Sequence, residues 1–379
     1  MPHRENNLFN QIISDKNLFK AIYEVNKSHR WHHGHQPNRL TARIDETIPE
    51  RIKDLRRIII DGFEPAEPRI SERYDESAEK WRTISEPRQW PDQYVHHALI
   101  QVLQPVLMKR MDFYCCGSIK NRGSQLAKAS VEKWVRTDKT NTKYCLMCDI
   151  RHFYDSLLPE VVMSRMRHII KDAKTLDLIE RIINDGVHIG AYTSQWLANT
   201  VLQPLDDMIR AHGCAKYYVR YMDNITIFGR NKRKLRRLRE SIQQWLNANG
   251  LELKHDWQIF KIDGKKTREP IAVGYRYGRT YTIIRKHNLK RIKRAINWFT
   301  NMEHQHKHIT GAEASGIISR LGQLIHCNNY NLYKKLFKGQ KILKRLKQIV
   351  KRDRQLYNLK WEEYLAQRAE KRKKRELTE

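Results

Sequence analysis

No stretch of the 379-residue chain approaches the roughly 18 consecutive apolar residues that a membrane-spanning helix needs. The opening residues MPHRENN fit neither a signal peptide nor a myristoylation site. Cysteine is sparse, with six in all: Cys115, Cys116, Cys145, Cys148, Cys214 and Cys327. Cys145 and Cys148 have CxxC spacing, but no second CxxC or HxxxH completes the four ligands of a structural zinc site. They lie in the apolar run YCLMCDI, which favours buried, reduced strand thiols. No internal repeat and no long low-complexity segment is present. These absences lead to the expectation of a soluble, cytoplasmic protein with no membrane partner.

Acids are also in short supply, 42 Asp and Glu against 73 Lys and Arg, for a formal charge of +31. The excess is spread along the chain rather than held in one tail. A field of that size attracts polyanions, and nucleic acid is the first partner it suggests, ahead of a membrane surface. The length suffices for two or three subdomains with a real core.

Helical periodicity marks LFNQII, LFKAIYEV and IPERIKDLRRIII within residues 1–60, around a His-rich loop, WHHGHQ (31–36). Three His in five residues could bind a metal, but no helix fixes their spacing, so a solvated or RNA-facing loop is the simpler reading. Residues 61–93 read as short strands and loops. VHHALIQVLQPVLMKRM (95–111) reads as a helix that tolerates Pro105, and SQWLANTVLQPLDDMIRAHG as one helix stopped by Gly213. Asn231 is placed to cap a helix whose buried stripe is Leu235, Leu238, Ile242, Trp245 and Leu246. From about residue 286 the chain reads as helical and strongly basic.

Two aspartates end strand-like runs in the mixed middle. Asp149 closes the apolar run of residues 144–148, of the kind buried on both faces. Asp223 sits at the tip of YYVRYMDNITIF (217–228), where two period-2 runs flank Met222-Asp223-Asn224 and read as a hairpin. Asp and Asn suit turns on their own account. If the two strands are neighbours, however, both carboxylates meet at one sheet edge, where Mg²⁺ would relieve their repulsion and still accept substrate phosphates. Two such ions can activate an attacking hydroxyl and stabilise a leaving pyrophosphate. With a basic chain to hold nucleic acid, the implied chemistry is nucleotidyl transfer. Asp206 and Asp207 form a second acidic pair, inside a helix, and read as structural.

Several blocks, in order and at matching spacing over about residues 15–300, resemble the reverse transcriptases. CDIRHFYDSL resembles their first catalytic motif, IGAYTSQWLANTVLQPLD the block that follows, YVRYMDNITIFG their YxDD box and IAVGYRYG their primer grip. KWRTISEP, VHHALIQVLQPVL and GSIKNRGSQLAKA resemble the fingers of bacterial and phage retroelement enzymes. The IGxxxSQ pattern (Ile189, Gly190, Ser194, Gln195) is most similar to diversity-generating retroelements and related phage or defence-associated enzymes, as is the short chain without a maturase or nuclease extension.

The resemblance implies an α+β right-hand polymerase: fingers, an RRM-like palm with an antiparallel sheet, and a helical thumb. On it the chain divides into an N-terminal helical extension (1–60), fingers (61–143), palm (144–285, with a helical fingers insertion at about 159–188), thumb (286–350) and a basic C-terminal helix (351–379). It implies an RNA-directed DNA polymerase using two Mg²⁺ ions, with Mn²⁺ an alternative. Its partners would be an RNA template, a DNA primer and product, dNTPs, and a structured non-coding RNA, accessory protein or second copy, in a bacterial or phage-infected cell.

Carried over by position, Asp149, the Ile150 carbonyl and Asp223 would bind metal, with Asn224 the third catalytic position. Tyr154 would be the steric gate under the sugar, with Phe153 turned into the core. Arg82 would grip base and triphosphate, and Lys120 and Arg122 would touch template or triphosphate, unless they line a merely solvated loop. Ile189, Gly190 and Gln195 would lie near the nucleotide, Ile189 replacing a glutamine in a way that accompanies error-prone copying. Gly274 and Tyr275 would form the primer grip, and rows of thumb cations would hold duplex phosphates. Lys254 and Lys261 are both candidates for the lysine that protonates pyrophosphate. Two departures stand out: the box reads YMDN, one charge short, and Asp155 stands where Pro is frequent.

Overall fold

A computed structural model of the protein describes residues 4–31, 36–75, 80–263, 268–337 and 341–376. His32, His33 and His35 of the His-rich loop lie outside the described residues. The chain separates into two compact units. One joins Met1–Ser28 to Ile44–Val273, and the other joins His29–Arg43 to Gly274–Glu379.

Four helices open the chain: α1 (Phe9–Ile12), α2 (Asp15–His29), α3 (Arg39–Glu46) and α4 (Ile48–Ile60). The broken segment after them forms an antiparallel ribbon, β1 (Arg69–Asp75) with β2 (Lys80–Glu86). α5 (Tyr94–Met108) contains Pro105, as the sequence suggests, and α6 (Gly123–Thr137) follows the basic loop. β3 (Tyr144–Asp149) leads through turns into α7 (Pro159–Ile169) and α8 (Ala173–Ile182). The single helix expected over residues 194–213 is instead two, α9 (Tyr192–Val201) and α10 (Gln203–Ala211). Pro204 is the physical reason: it donates no backbone hydrogen bond and disfavours helical geometry before it, so it starts a helix rather than continuing one.

β4 (Tyr217–Tyr221) and β5 (Asn224–Gly229) form the hairpin, α11 (Lys232–Ala248) returns along it, and β6 (Gln258–Lys261) completes a sheet of order β4-β5-β3-β6. Every pairing in that sheet is antiparallel. The apolar runs of β3 and β5 put them at its centre. Asn231 caps α11 by accepting from the amides of Arg233 and Lys234. Leu235, Leu238, Ile242 and Leu246 of α11 are fully buried in the core that holds Leu146, Ile225 and Ile227. Burying each such side chain contributes on the order of 1.5–3 kcal/mol, which pins the helix, and so the sheet, in place.

The second unit has its own core, which includes Ile292, Ile296, Phe299, Ile317, Leu321 and Leu346. It pairs strands Tyr275–Tyr277 and Thr282–Ile284 and adds α12 (Lys286–His304), α13 (Gly311–Ile325), α14 (Tyr330–Phe337) and α15 (Ile342–Glu376). Thr310 and Glu313 form a capping box on α13. The 29–43 segment joins this unit through Trp31, whose ring packs edge-on against Tyr357 and Trp361 of α15. Among the described residues no helix is long and apolar enough to cross a membrane.

Candidate active site

The register of the sheet places the two aspartates together. Asp149, last in β3, lies opposite Asn224, first in β5. Tyr221 pairs with Asn224 across a two-residue turn, Met222-Asp223, so Asp223 projects from the tip beside the end of β3. The amide of Ile150 donates to the carbonyl of Asp223 (3.2 Å), tying the residue after one acid to the backbone of the other. The Asp149 carboxyl is held above the ordinary carboxylate range, first by burial and then by the Asp223 charge, with Lys254 opposing both. Asn224 donates its side-chain amide to Asp223 Oδ1 (3.1 Å).

Lys254 is distinguished from Lys261 here. Residues 252–254 run antiparallel to 149–151: the Arg151 amide donates to the Glu252 carbonyl and the Lys254 amide to the Asp149 carbonyl, both at 2.8 Å. This pairing sets the Lys254 ammonium against Asp149 Oδ1 as an ion pair. Lys261 instead pairs with Tyr144, at the opposite end of β3. At about 3.4 Å per strand residue that is roughly 17 Å from Asp149.

Tyr154 follows Asp149 in the turns after β3 and is half-buried, whereas Phe153 points into the core and is almost wholly buried. Burial raises the Tyr154 hydroxyl pKa most, the Asp223 charge raises it further, and Arg82 lowers it. Asp223 and Arg82 therefore each lie within electrostatic reach of the Tyr154 hydroxyl. Arg82 comes from β2 and donates Nε to Asp75 Oδ2 (2.8 Å). The 189–190 segment meets the same strand, with the Ser85 amide donating to the Ile189 carbonyl (2.8 Å). Gly190 has φ +125°, and a Cβ on it would stand 2.6 Å from the Ser85 carbonyl oxygen. Glycine is needed there because β2 passes too close for any side chain. Gln195 is exposed on α9.

Lys120 is exposed, whereas the Arg122 guanidinium donates to the carbonyls of Asp112 (2.7 Å) and Cys115 (3.5 Å) and stands over the Phe113 ring. Gly274 and Tyr275 open the C-terminal stretch of the second unit. Gly274 has φ +89° and its carbonyl accepts from Arg285, while the Tyr275 hydroxyl donates to the Gln323 carbonyl (3.1 Å) from a buried ring. Cys145 and Cys148 are buried, free thiols on β3.

Sequence reasoning missed Arg220. In a period-2 run its charge suggests an outward position, yet it is completely buried against Asp206. A signal was present: Asp206 is an acid on the apolar side of a helix and needs a buried cation. The structural reading of Asp206 holds; the residue it serves lies two positions before the Met222-Asp223 turn.

The paired carboxylates fit a hard cation. An ammonium already stands against Asp149, as a metal ion would, and burial and then the Asp223 charge raise the Asp149 carboxyl pKa. Among the described residues no group of three or more His, Cys, Asp or Glu side chains gathers to hold a metal. Two aspartates, a main-chain carbonyl and an amide oxygen leave coordination positions for substrate phosphates.

Residues 72–260 match the model of the family described as Reverse transcriptase (RNA-dependent DNA polymerase). The chain therefore contains a reverse transcriptase domain, and its fold is that of an α+β right-hand polymerase with an antiparallel palm sheet. Solved structures similar to it include apo telomerase from Candida tropicalis truncated from its C-terminal domain, at 14% identity over 57% of this chain and 55% of that one, TM-score 0.44. Telomerase from Candida albicans in complex with a fragment of telomeric RNA is similar at 12% identity over 73% of this chain and 55% of that one, TM-score 0.42. The chain spans about half the length of these telomerase chains. No curated protein matches it.

Proposed function

We propose that the protein is an RNA-directed DNA polymerase that adds dNTPs to a primer 3′ end by two-metal nucleotidyl transfer. The observation that carries this reading is the register of Asp149 against Asn224, with Asp223 at the adjoining tip. Asp149, the Ile150 carbonyl and Asp223 would hold two Mg²⁺ ions, with Mn²⁺ an alternative and Asn224 a weaker oxygen donor. When bound, the ions would lower the pKa of the primer hydroxyl and neutralise charge on the phosphates. The primer oxygen forms a bond to the α-phosphorus as the bond to pyrophosphate breaks. Lys254, whose ammonium pairs with Asp149, would give a proton to the departing pyrophosphate.

Arg82 would clamp the triphosphate, for which a planar guanidinium is suited. The Tyr154 ring would exclude a 2′-hydroxyl, and Ile189 would withhold a hydrogen bond near the sugar, lowering fidelity. Gln195, Gly190 and Lys120 would border nucleotide and template, Gly274 and Tyr275 the primer end, and the cations of α12 the duplex backbone. The IGxxxSQ pattern supports a bacterial or phage retroelement, or a defence enzyme making untemplated DNA. In either setting the partners would be RNA, DNA and dNTPs, with a structured RNA, an accessory protein or a second copy.

One observation favours a second reading. Asn224 is neutral and spends its amide on Asp223, which suits a weak or inactive polymerase retained for nucleic-acid binding. Primer extension separates these readings. With Mg²⁺, labelled dNTPs and a primed RNA template, the polymerase reading predicts template-complementary extension. Extension independent of the template supports the untemplated reading, and binding without extension supports the weak or inactive one.

A further inference from the structure

Behind the Met222-Asp223 turn lies a polar network sealed from solvent. Arg220 donates Nε to Asp206 Oδ1 (2.8 Å) and Nη2 to Asp206 Oδ2 (2.7 Å). Its Nη1 donates to Asn199 Oδ1 (2.9 Å) and to the Met222 carbonyl (3.1 Å), and Nη2 also reaches the Asn199 carbonyl (3.3 Å). These contacts employ all five guanidinium N–H groups. Asp206 also accepts from the Tyr218 hydroxyl. Asn199 Nδ2 in turn donates to the Gly117 carbonyl (2.9 Å) and contacts Met222 Sδ (3.5 Å). The Arg220 backbone is fixed as well: its amide donates to Tyr114 (3.0 Å) and its carbonyl accepts from Cys116 (2.8 Å).

The network holds a strained residue. Met222 has φ +55°, a left-handed conformation that a non-glycine side chain adopts at a cost on the order of 1 kcal/mol or more. Such a conformation persists only where its surroundings dictate it. Here the carbonyl is held by Arg220, the sulfur by Asn199, and the backbone sits so close to Gly117 that a Cβ there would stand 2.5 Å from the Met222 nitrogen. Stability alone is a poor explanation for the ion pair, because a buried pair contributes little beyond an apolar replacement of the same volume.

We infer that Arg220, with Asp206 and Asn199, is the positioning residue of the catalytic turn: it fixes Met222 in its left-handed conformation and thereby aims Asp223 at the metal site beside Asp149. The inference rests on the proposed role of Asp223 as a metal ligand. It predicts that removing the tether loosens metal binding while the fold survives.

Two variants of the full chain test this by different routes. Arg220→Met combined with Asp206→Leu replaces the ion pair with apolar side chains. Arg220→Lys keeps a cation beside Asp206 that cannot span to the Met222 carbonyl. Mn²⁺ affinity is read by electron paramagnetic resonance, and the turn by hydrogen exchange of a peptide covering residues 217–228, with circular dichroism and melting temperature reporting the fold. Both folded variants are expected to bind Mn²⁺ about tenfold more weakly and to exchange faster at the turn. Parental Mn²⁺ affinity and turn exchange in either folded variant would overturn the inference. Asp223→Ala run alongside separates the two levels: if it binds Mn²⁺ as the parent does, the metal role of Asp223 is lost and this inference with it. If only Asp223→Ala weakens binding, the positioning role alone is wrong.

Discussion

Asn224 donates its side-chain amide to Oδ1 of Asp223 across 3.1 Å. A carboxylate at position 224 could not make that bond and would bring a third negative charge to a site where Asp223 already raises the Asp149 carboxyl pKa. More carboxylate charge strengthens binding of a hard cation. Asn224→Asp is therefore expected to lower the Mg²⁺ concentration for half-maximal nucleotide incorporation, by roughly fivefold. A Mg²⁺ titration of incorporation rate checks this, and an unchanged or raised midpoint would show that the amide is no handicap.

The two candidate lysines separate by position. Lys254 pairs with Asp149, and Lys261 lies at the other end of β3. Lys254→Ala should slow the chemical step by about a hundredfold, within the range of a lost general acid. Lys261→Ala should leave the rate near that of the parent. Single-turnover incorporation rates decide, and equal effects of the two substitutions would contradict the assignment.

Gly190→Ala tests whether that glycine serves packing against β2. A methyl group would meet the Ser85 carbonyl oxygen at 2.6 Å, at a φ of +125°. The expected loss is about 1–3 kcal/mol of stability, read from denaturant midpoints. KM for dNTPs should rise as well, because β2 carries Arg82. Unchanged stability would show that the strand yields.

His96 makes a pH prediction. It is fully buried on α5 and lies 3.1 Å from the Thr193 hydroxyl of α9. Burial, then the neighbouring His97, lowers its pKa from 6.5 to about 3. Between those values the unfolded chain binds one more proton than the fold, so stability rises with pH. Conversely, as pH falls from 6.5 toward 3, His96 withdraws up to about 1.4 kcal/mol per pH unit. Melting temperatures over this range should fall less steeply for His96→Gln than for the parent. Parallel slopes would contradict the prediction.

The two aspartates were legible because each closes a run whose apolar pattern already marks a strand, and a strand end is where a side chain can face solvent. Asn231 and the α11 stripe were legible for the same local reason. The burial of Phe153 was expected only from the resemblance, which sets it beside Tyr154 and turned into the core, since both residues lie in turns where no strand alternation divides them. Arg220 was legible only by halves: Asp206, an acid on the apolar side of a helix, calls for a buried cation, but no local pattern names the one fourteen residues later. The choice of Lys254 over Lys261 was likewise hidden, because it follows from pairing of residues 149–151 with 252–254, about a hundred positions apart. The association of 29–43 with the C-terminal unit depends on Trp31 meeting α15 across more than three hundred residues. Only the break at Leu202 could have been read locally, from Pro204.

In the proposed mechanism Asp149 and Asp223 jointly carry nucleotidyl transfer. The most direct measurement is incorporation of a single labelled dNTP on a primed RNA template, with and without Mg²⁺, for the parent, Asp149→Ala and Asp223→Ala. Mg²⁺-dependent addition by the parent is expected, with a loss of at least about a thousandfold in each variant, as when a site depends on both members of a pair. Incorporation by either variant at the parental rate, or none by the parent above its variants, would contradict it.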